Sequence, residues 1–257
     1  MNYLDKAKRL ILKMFSSGLI FPAAVLLLWH YGAAENIWNT FLLPSPETVW
    51  KAFCSALQSG ELQQHLCASL SRIAAGFSIS ALLAVSLAFL CGAFPAVYTQ
   101  IGGTLEFLRH VPPMATIPML ILWCGIGESP KIILIILATF FPVFLNTMQG
   151  IKSCDARLLE VASVFGYGRW EKCRHVILPS ALPSIMTGLQ LGLGYSWRSL
   201  VAAELVAASS GLGYMILDAE QLSRSDVVLM GIFIIGILGA LLDLLFVLLS
   251  RAAVMIK

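Results

Sequence analysis

Long runs without a charged residue dominate this 257-residue chain. Met14–Ala34 and Ile73–Ala93 each contain 21 residues with no Asp, Glu, Lys or Arg. At 1.5 Å of rise per residue, a helix of this length crosses a hydrocarbon core of about 30 Å. Only 12% of the residues are charged, which is about half the share in a soluble domain. The sequence therefore predicts a membrane protein.

Four further apolar runs are interrupted only by prolines or by single charges. They are Val111–Gly127, Ile132–Ile151, Ala181 to about Ala207, and Val227–Leu249. A backbone in lipid must satisfy its own hydrogen bonds, and no run alternates as a membrane barrel strand does. We therefore predict an all-α membrane protein with six transmembrane helices. Met14–Ala34 is too long for the apolar part of a signal peptide, and no cleavage site of small residues follows it.

The basic residues predict the orientation of these helices. If the N-terminus is cytoplasmic and six helices alternate, 12 of the 17 Lys and Arg residues lie on the inner side. Cytoplasmic loops carry such an excess. Both termini and residues 152–180 are then cytoplasmic, and Pro44–Gly60 lies outside. Five basic residues remain outside or within spans: Lys51, Arg72, Lys131, Arg198 and Arg224.

The outer connection contains a helix signal. Ser45 can cap a helix that begins at Pro46, since serine and proline are favoured at these two positions. Four apolar residues then share one face at helical spacing: Val49, Trp50, Phe53 and Leu57. The helix lies in the outer membrane interface, or it packs on the other helices; the sequence favours neither.

A polar, charged stretch follows the fourth span. Asp155–Phe165 has helix-forming composition, and Gly166-Tyr167-Gly168 predicts a break because glycine permits positive φ. A second short helix is predicted over Arg169–Val176, ended by Leu178-Pro179. By composition alone, the stretch is equally well interpreted as a solvated cytoplasmic loop.

The spacing within this stretch resembles the EAA loop of ABC-importer permeases. That pattern is Glu-x-Ala, three residues, Gly, nine residues, an aliphatic residue, one residue and Leu-Pro. Val161 and Val176 replace the usual Ala and Ile. Four further segments look like the nitrate, sulfonate and taurine subfamily, over roughly residues 40 to 250: Leu43–Pro46, Leu178–Pro183, Gly192–Glu204 and Gly211–Tyr214.

The resemblance implies a type I permease fold, a single domain over 1–257 and a coupling loop at about 152–180. The loop is expected to dock on a cytoplasmic ATPase through Glu160, Ala162, Gly166, Tyr167, Gly168, Arg169, Leu178 and Pro179. It also implies a homodimer in the bacterial inner membrane that receives a small, often anionic solute from a binding protein. The expected solute is a sulfonate, taurine, nitrate or a similar compound.

The chain itself is not expected to be an enzyme. No phosphate-binding loop, paired carboxylates or Ser-His-Asp set occurs in the sequence, so ATP and Mg are expected on the partner ATPase. No metal-ligand spacing is present, and the net charge of +3 gives no reason to expect nucleic acid.

Three residues of the fifth span are candidates for the translocation path: Trp197, Arg198 and Glu204. Arg198 lies about 24 Å along the span from Leu182, and Glu204 lies near its outer end. A charge at such depth usually faces a bundle interior or a water-filled cavity. Arg198 therefore either favours anions in the path or forms a structural ion pair.

The alternative function is an ion-coupled secondary transporter. Such a protein needs a titratable relay or an ion site near the midplane. Only Arg198 and Asp243 approach that requirement, and the sequence shows no inverted repeat.

Overall fold

The computed structural model describes Gly18 and residues 20–255. Its helices are α1 (Ile20–Ala34), α2 (Pro46–Gln58), α3 (Glu61–Ala93), α4 (Pro95–Arg109), α5 (Ile117–Cys124), α6 (Glu128–Lys152), α7 (Ala156–Val164), α8 (Arg169–Lys172), α9 (Leu178–Ala207), α10 (Leu212–Gln221) and α11 (Ser225–Met255). A 3₁₀ turn (Pro113–Thr116) precedes α5, and a π turn (Cys173–Ile177) joins α8 to α9. The described residues contain no strand, in agreement with the predicted all-α class.

The chain divides into two compact units. Among the described residues, those up to Glu61 together with residues 216–232 form one, and residues 62–215 with 233–255 form the other. The second unit contains α3 to α9 and most of α11, so it holds both polar regions of interest. The single domain expected over residues 1–257 stays a prediction.

Four helices are long and apolar enough to cross a membrane. They are α3, α6, the continuous segment Arg169–Val206 and the segment Ser225–Ser250 of α11. The third predicted span is shorter than expected, since only Pro113–Cys124 is helical there. Three prolines at 112, 113 and 118 limit its hydrogen bonding. The first span is described as the apolar helix Phe21–Ala34, and its predicted start at Met14 lies outside the described residues.

Helix α2 begins as predicted. The Ser45 hydroxyl accepts a hydrogen bond from the Thr48 N–H at 3.3 Å, and Pro46 occupies the first turn. Its buried residues are Val49, Ala52 and Ala56. Trp50 is 65% exposed and stacks on Phe53, so the predicted apolar face is only partly buried, and its place in the membrane interface stays a prediction.

Helix α4 was not predicted, because residues 94–110 carry glycines and charges. Val97, Ile101 and Leu105 recur every fourth residue and pack on a buried core from α3 and α6. That core contains Ala84, Ala88, Cys91, Val143, Phe144 and Met148. The recurrence, together with Pro95 in the first turn, is the signal that would have identified the helix.

Helices α6 and α9 pack closely because glycine faces the partner backbone. A Cβ at Gly188 would lie 2.8 Å from the Asn146 Cβ and 3.1 Å from the Pro142 carbonyl oxygen. Small residues at helix contacts are the usual means of close approach in membranes. This contact fixes α9, which carries the predicted path residues, against α6.

We expect Gly188→Ala to destabilise the protein, because the new methyl group meets backbone that has to move. Overpacking of this kind costs about 1–3 kcal/mol. Gly103→Ala is the matched control, since a Cβ there meets no atom within 4 Å; alanine should stabilise that helix by up to about 1 kcal/mol. Thermal unfolding of the purified protein in detergent measures both. A Gly188→Ala protein as stable as Gly103→Ala would contradict the packing.

Candidate functional site

The predicted break after α7 is a helix C-terminus built on one glycine. Gly166 has φ of +80°, and its N–H donates to the Ser163 carbonyl at 3.0 Å. The Tyr167 N–H donates to the Ala162 carbonyl at 2.9 Å. This pair of bonds is the Schellman motif, in which the left-handed position strongly favours glycine. Gly166 is therefore needed to turn the chain.

The second helix of the stretch is tied to the first. Gly168 is extended, with φ of −70°, and its N–H donates to the Glu171 carboxylate at 2.6 Å. The Lys172 ammonium donates to the Ser163 hydroxyl at 2.7 Å, across the turn. Residues 155–177 thus form a helical hairpin, called the Glu160 hairpin below.

The Glu160 hairpin presents an apolar surface. Val164, Phe165 and Trp170 are 87%, 77% and 74% exposed, and Glu160 is also exposed, whereas Ala162 is buried inside the hairpin. Large apolar side chains that are exposed on a loop are characteristic of interaction surfaces. The hairpin therefore has the composition of a docking surface.

The predicted end of the second helix at Leu178-Pro179 is wrong. The Leu178 N–H donates to the Cys173 carbonyl, five residues back, and the chain continues into α9. Proline lacks an N–H, and a π turn is one way a helix accommodates an interrupted bond. The hairpin is therefore joined to α9 by continuous helix.

A cluster of charges joins α3, α6 and α9, with the buried side chain of Arg72 at its centre and the exposed carboxylate of Glu128 at its edge. The Arg72 guanidinium donates to the carboxylates of Glu204 at 2.7 Å and Glu128 at 2.8 Å. It also donates to the carbonyl and hydroxyl oxygens of Ser210, at 2.7 and 2.8 Å, and Arg72 Nε donates to Glu128. All five N–H groups of the guanidinium are used. Lys131 donates to Glu128 at 2.9 Å, so two cations face two anions.

The cluster also caps α10. Three successive backbone N–H groups, at Gly211, Leu212 and Gly213, donate to the side chains of His65, Ser69 and Glu204, each at 3.0 Å. The first amides of a helix have no partner within it, and a negative charge there is stabilising. Glu204, fully buried, thus compensates both Arg72 and this helix start.

The glycines of the Gly211-Leu212-Gly213-Tyr214 segment follow from this capping. Gly211 has φ of +120°, and a Cβ there would lie 2.3 Å from the Glu204 carboxylate. A Cβ at Gly213 would lie 2.5 Å from the Val201 carbonyl oxygen. The sequence did not predict the cluster, although Arg72 and Lys131 were exceptions to the positive-inside pattern and each required a partner.

The three predicted path residues have different environments. Trp197 is buried, and Glu204 belongs to the ion cluster. Arg198 is exposed, with its guanidinium carbon 6.0 Å from the Tyr195 ring centroid. Of the three, only Arg198 presents its charge at a surface.

Comparison with known proteins identifies the family. The pattern of the family described as "Binding-protein-dependent transport system inner membrane component" matches residues 69–254. This chain belongs to that family. The permease is 41% identical over 234 residues to SsuC of Bacillus subtilis, a permease named for aliphatic sulfonates transport, covering 91% of this chain and 85% of that one. It is 38% identical over 227 residues to the taurine transport system permease TauC of Escherichia coli, covering 86% and 82%.

A solved structure supports the fold. The permease matches a chain of the MetNI methionine ABC transporter, in inward-facing conformations, with a TM-score of 0.60 and 17% identity. The match covers 73% of this chain and 95% of that chain. The predicted type I ABC-importer fold, the permease role and the inner-membrane location are thereby confirmed. The family is a transport family, and the ion-coupled alternative is set aside.

We expect Arg72→Met to destabilise the permease strongly, because Glu204 then keeps a buried charge without its cation. Removing one partner of a buried pair costs about 3–5 kcal/mol. Arg109→Gln is the matched control, since Arg109 pairs with Glu106 at 2.6 Å on the surface, where loss costs about 0–1 kcal/mol. Thermal unfolding in detergent measures both. Equal effects of the two variants would show that the cluster does not stabilise the fold.

Proposed function

We propose that this permease carries a small organic sulfonate, of the aliphatic sulfonate or taurine class, in an importer driven by separate ATPase subunits. The names of its relatives at 38–41% identity support the substrate class. ATP and Mg bind to the ATPases, and the permease supplies the element that alternates between inward-open and outward-open states.

The Glu160 hairpin is the docking surface for the ATPase. The observation that supports this role is the exposure of the apolar side chains of Val164, Phe165 and Trp170. The hairpin that carries them is stabilised by the hydrogen bond from Lys172 to Ser163. A groove between the hairpin and the ends of α3 and α6 is lined by Glu160, Ser163 and Arg169 together with apolar residues such as Phe89 and Ile151. Surfaces of this mixed composition suit a protein partner.

The working unit is a homodimer with two ATPases and one extracytoplasmic binding protein, embedded in lipid. One chain supplies one hairpin, and two ATPases need two hairpins, so a C2 dimer is the simplest assembly. The binding protein delivers the solute on the outer side. Nucleic acid has no role in this scheme.

We expect Gly166→Arg to uncouple transport, because the side chain is strained at φ of +80° and stands in the docking surface. Glu160→Ala should act in the same direction by removing an exposed carboxylate. Co-purification with the ATPase and taurine uptake by the reconstituted importer measure the effect, and both should fall at least about tenfold, a loss of about 1.4 kcal/mol.

Gly60→Arg is the control for Gly166→Arg. Gly60 has φ of +79° and open space around it, so the backbone strain is the same at a site outside the hairpin. It should leave co-purification intact. If Gly166→Arg and Glu160→Ala both retain normal co-purification and uptake, the hairpin is not the ATPase contact.

The distribution of Lys and Arg predicts that residue 168 is cytoplasmic and residue 58 is outside. Most of these basic residues lie on the same side of the membrane as the hairpin, and cytoplasmic loops carry such an excess. Single cysteines at these positions, in a chain with its six native cysteines replaced, report this with a membrane-impermeant thiol reagent. Intact cells, with the outer membrane made permeable, should label position 58, and position 168 only after lysis. The reverse pattern would invert the topology.

A further inference from the structure

Helices α9 and α11 enclose a groove of about 560 Å³ within the second unit. Its polar lining consists of Gln190, Tyr195, Arg198 and Asp243, and the remaining lining is apolar or glycine. The helices approach closely at Gly239, where a Cβ would lie 2.9 Å from Trp197 Nε1. The size is within the range of small-molecule sites, and few polar groups point into it, as in such sites.

Arg198 has no carboxylate within ion-pair distance among residues 20–255. This contrasts with Arg72, whose five N–H groups are all used. An exposed arginine on a helix that spans a membrane is too costly to face hydrocarbon. The α9–α11 face therefore meets water or protein rather than lipid tails.

The chemistry of the groove is that of an oxyanion site. A guanidinium offers a planar fork of donors that matches the oxygens of carboxylate, phosphate and sulfonate groups. Asp243 accepts a hydrogen bond from the Gln190 amide at 2.9 Å. Eight residues separate Gln190 from Arg198, about 12 Å along the helix, so the negative charge lies at a distance from the fork.

We propose that the α9–α11 groove is an oxyanion subsite of the translocation path, with Arg198 as the contact for the sulfonate group. This inference rests on the proposed function and adds the residue that selects for charge. Asp243 repels the anion from the other end of the groove and keeps binding weak. A conducting path needs such a balance, because the solute has to enter and also leave.

The test uses the whole importer, reconstituted with its ATPase and binding protein, and measures uptake of taurine and ethanesulfonate. Arg198→Gln should lower uptake at least about tenfold, as expected for loss of a charged hydrogen bond. Binding-protein-stimulated ATP hydrolysis and assembly should persist. Arg198→Lys should retain part of the uptake, because it keeps the charge and loses the fork. Arg224→Gln, an exposed arginine outside the groove, is the matched control and should match wild type.

The double variant Arg198→Gln with Asp243→Asn separates the subsite from an ion pair between two copies of the chain. If Arg198 contacts the sulfonate, uptake stays low after both charges are removed. If the two residues instead pair structurally, Asp243→Asn alone should lose assembly and the double variant should regain it, and that outcome would overturn the subsite.

Two further outcomes would overturn either the subsite alone or the subsite together with the proposed substrate class. Normal uptake by Arg198→Gln, or loss of assembly in both single variants of Arg198, would overturn the subsite alone. If the wild-type importer transports neither sulfonate, the proposed substrate class fails and the subsite fails with it.

Discussion

The contact between Arg72 and Glu204 is the constraint on which the second unit depends. It joins α3 to α9 at a position where neither charge reaches water, and Ser69, Glu128 and Lys131 complete its hydrogen bonding. A buried ion without a partner destabilises the fold far more than a buried ion pair stabilises it. The main effect of the cluster is therefore to fix the positions of the helices that carry it. It favours this arrangement of α3, α6, α9 and the start of α10, because the buried charges are paired in it.

Two arginines in apolar helices show why the sequence could predict so little of these sites. Arg72 immediately precedes the apolar run Ile73–Ala93, and Arg198 lies within the run from Ala181 to about Ala207. Local spacing alone does not show which of the two arginines has a buried partner. The partners of Arg72 lie 56 to 138 residues away along the chain, so its role depends on tertiary packing. Arg198, in contrast, is exposed beside Tyr195. One arginine is a structural centre, and the other remains available to a ligand.

The sequence predicts a structural feature correctly wherever the interaction that forms it is local. Ser45 caps α2, and Gly166 ends α7, because each bond is made within five residues. The predicted third span is too long, because it is judged from the length of its apolar run. That length does not show that the prolines in the run interrupt helical hydrogen bonding. The end of the helix at Pro179 was wrong because a π turn absorbs the interruption. The sequence does not predict helix α4 because its apolar stripe is narrow and the helix contains two adjacent glycines, Gly102 and Gly103.

Continuity between the hairpin and α9 gives the fold a means of transmitting force. The second helix of the Glu160 hairpin runs through the π turn into α9, which carries Gly188, Arg198 and Glu204. A displacement of the hairpin that leaves this helix intact must therefore move the α9 side of the groove. The Arg72–Glu204 contact fixes the C-terminal end of α9. At the other end of α9, the π turn already departs from the regular pattern of α-helical hydrogen bonds. Motion of α9 about a held end would change the width of the groove beside Arg198 while the ion cluster stays closed.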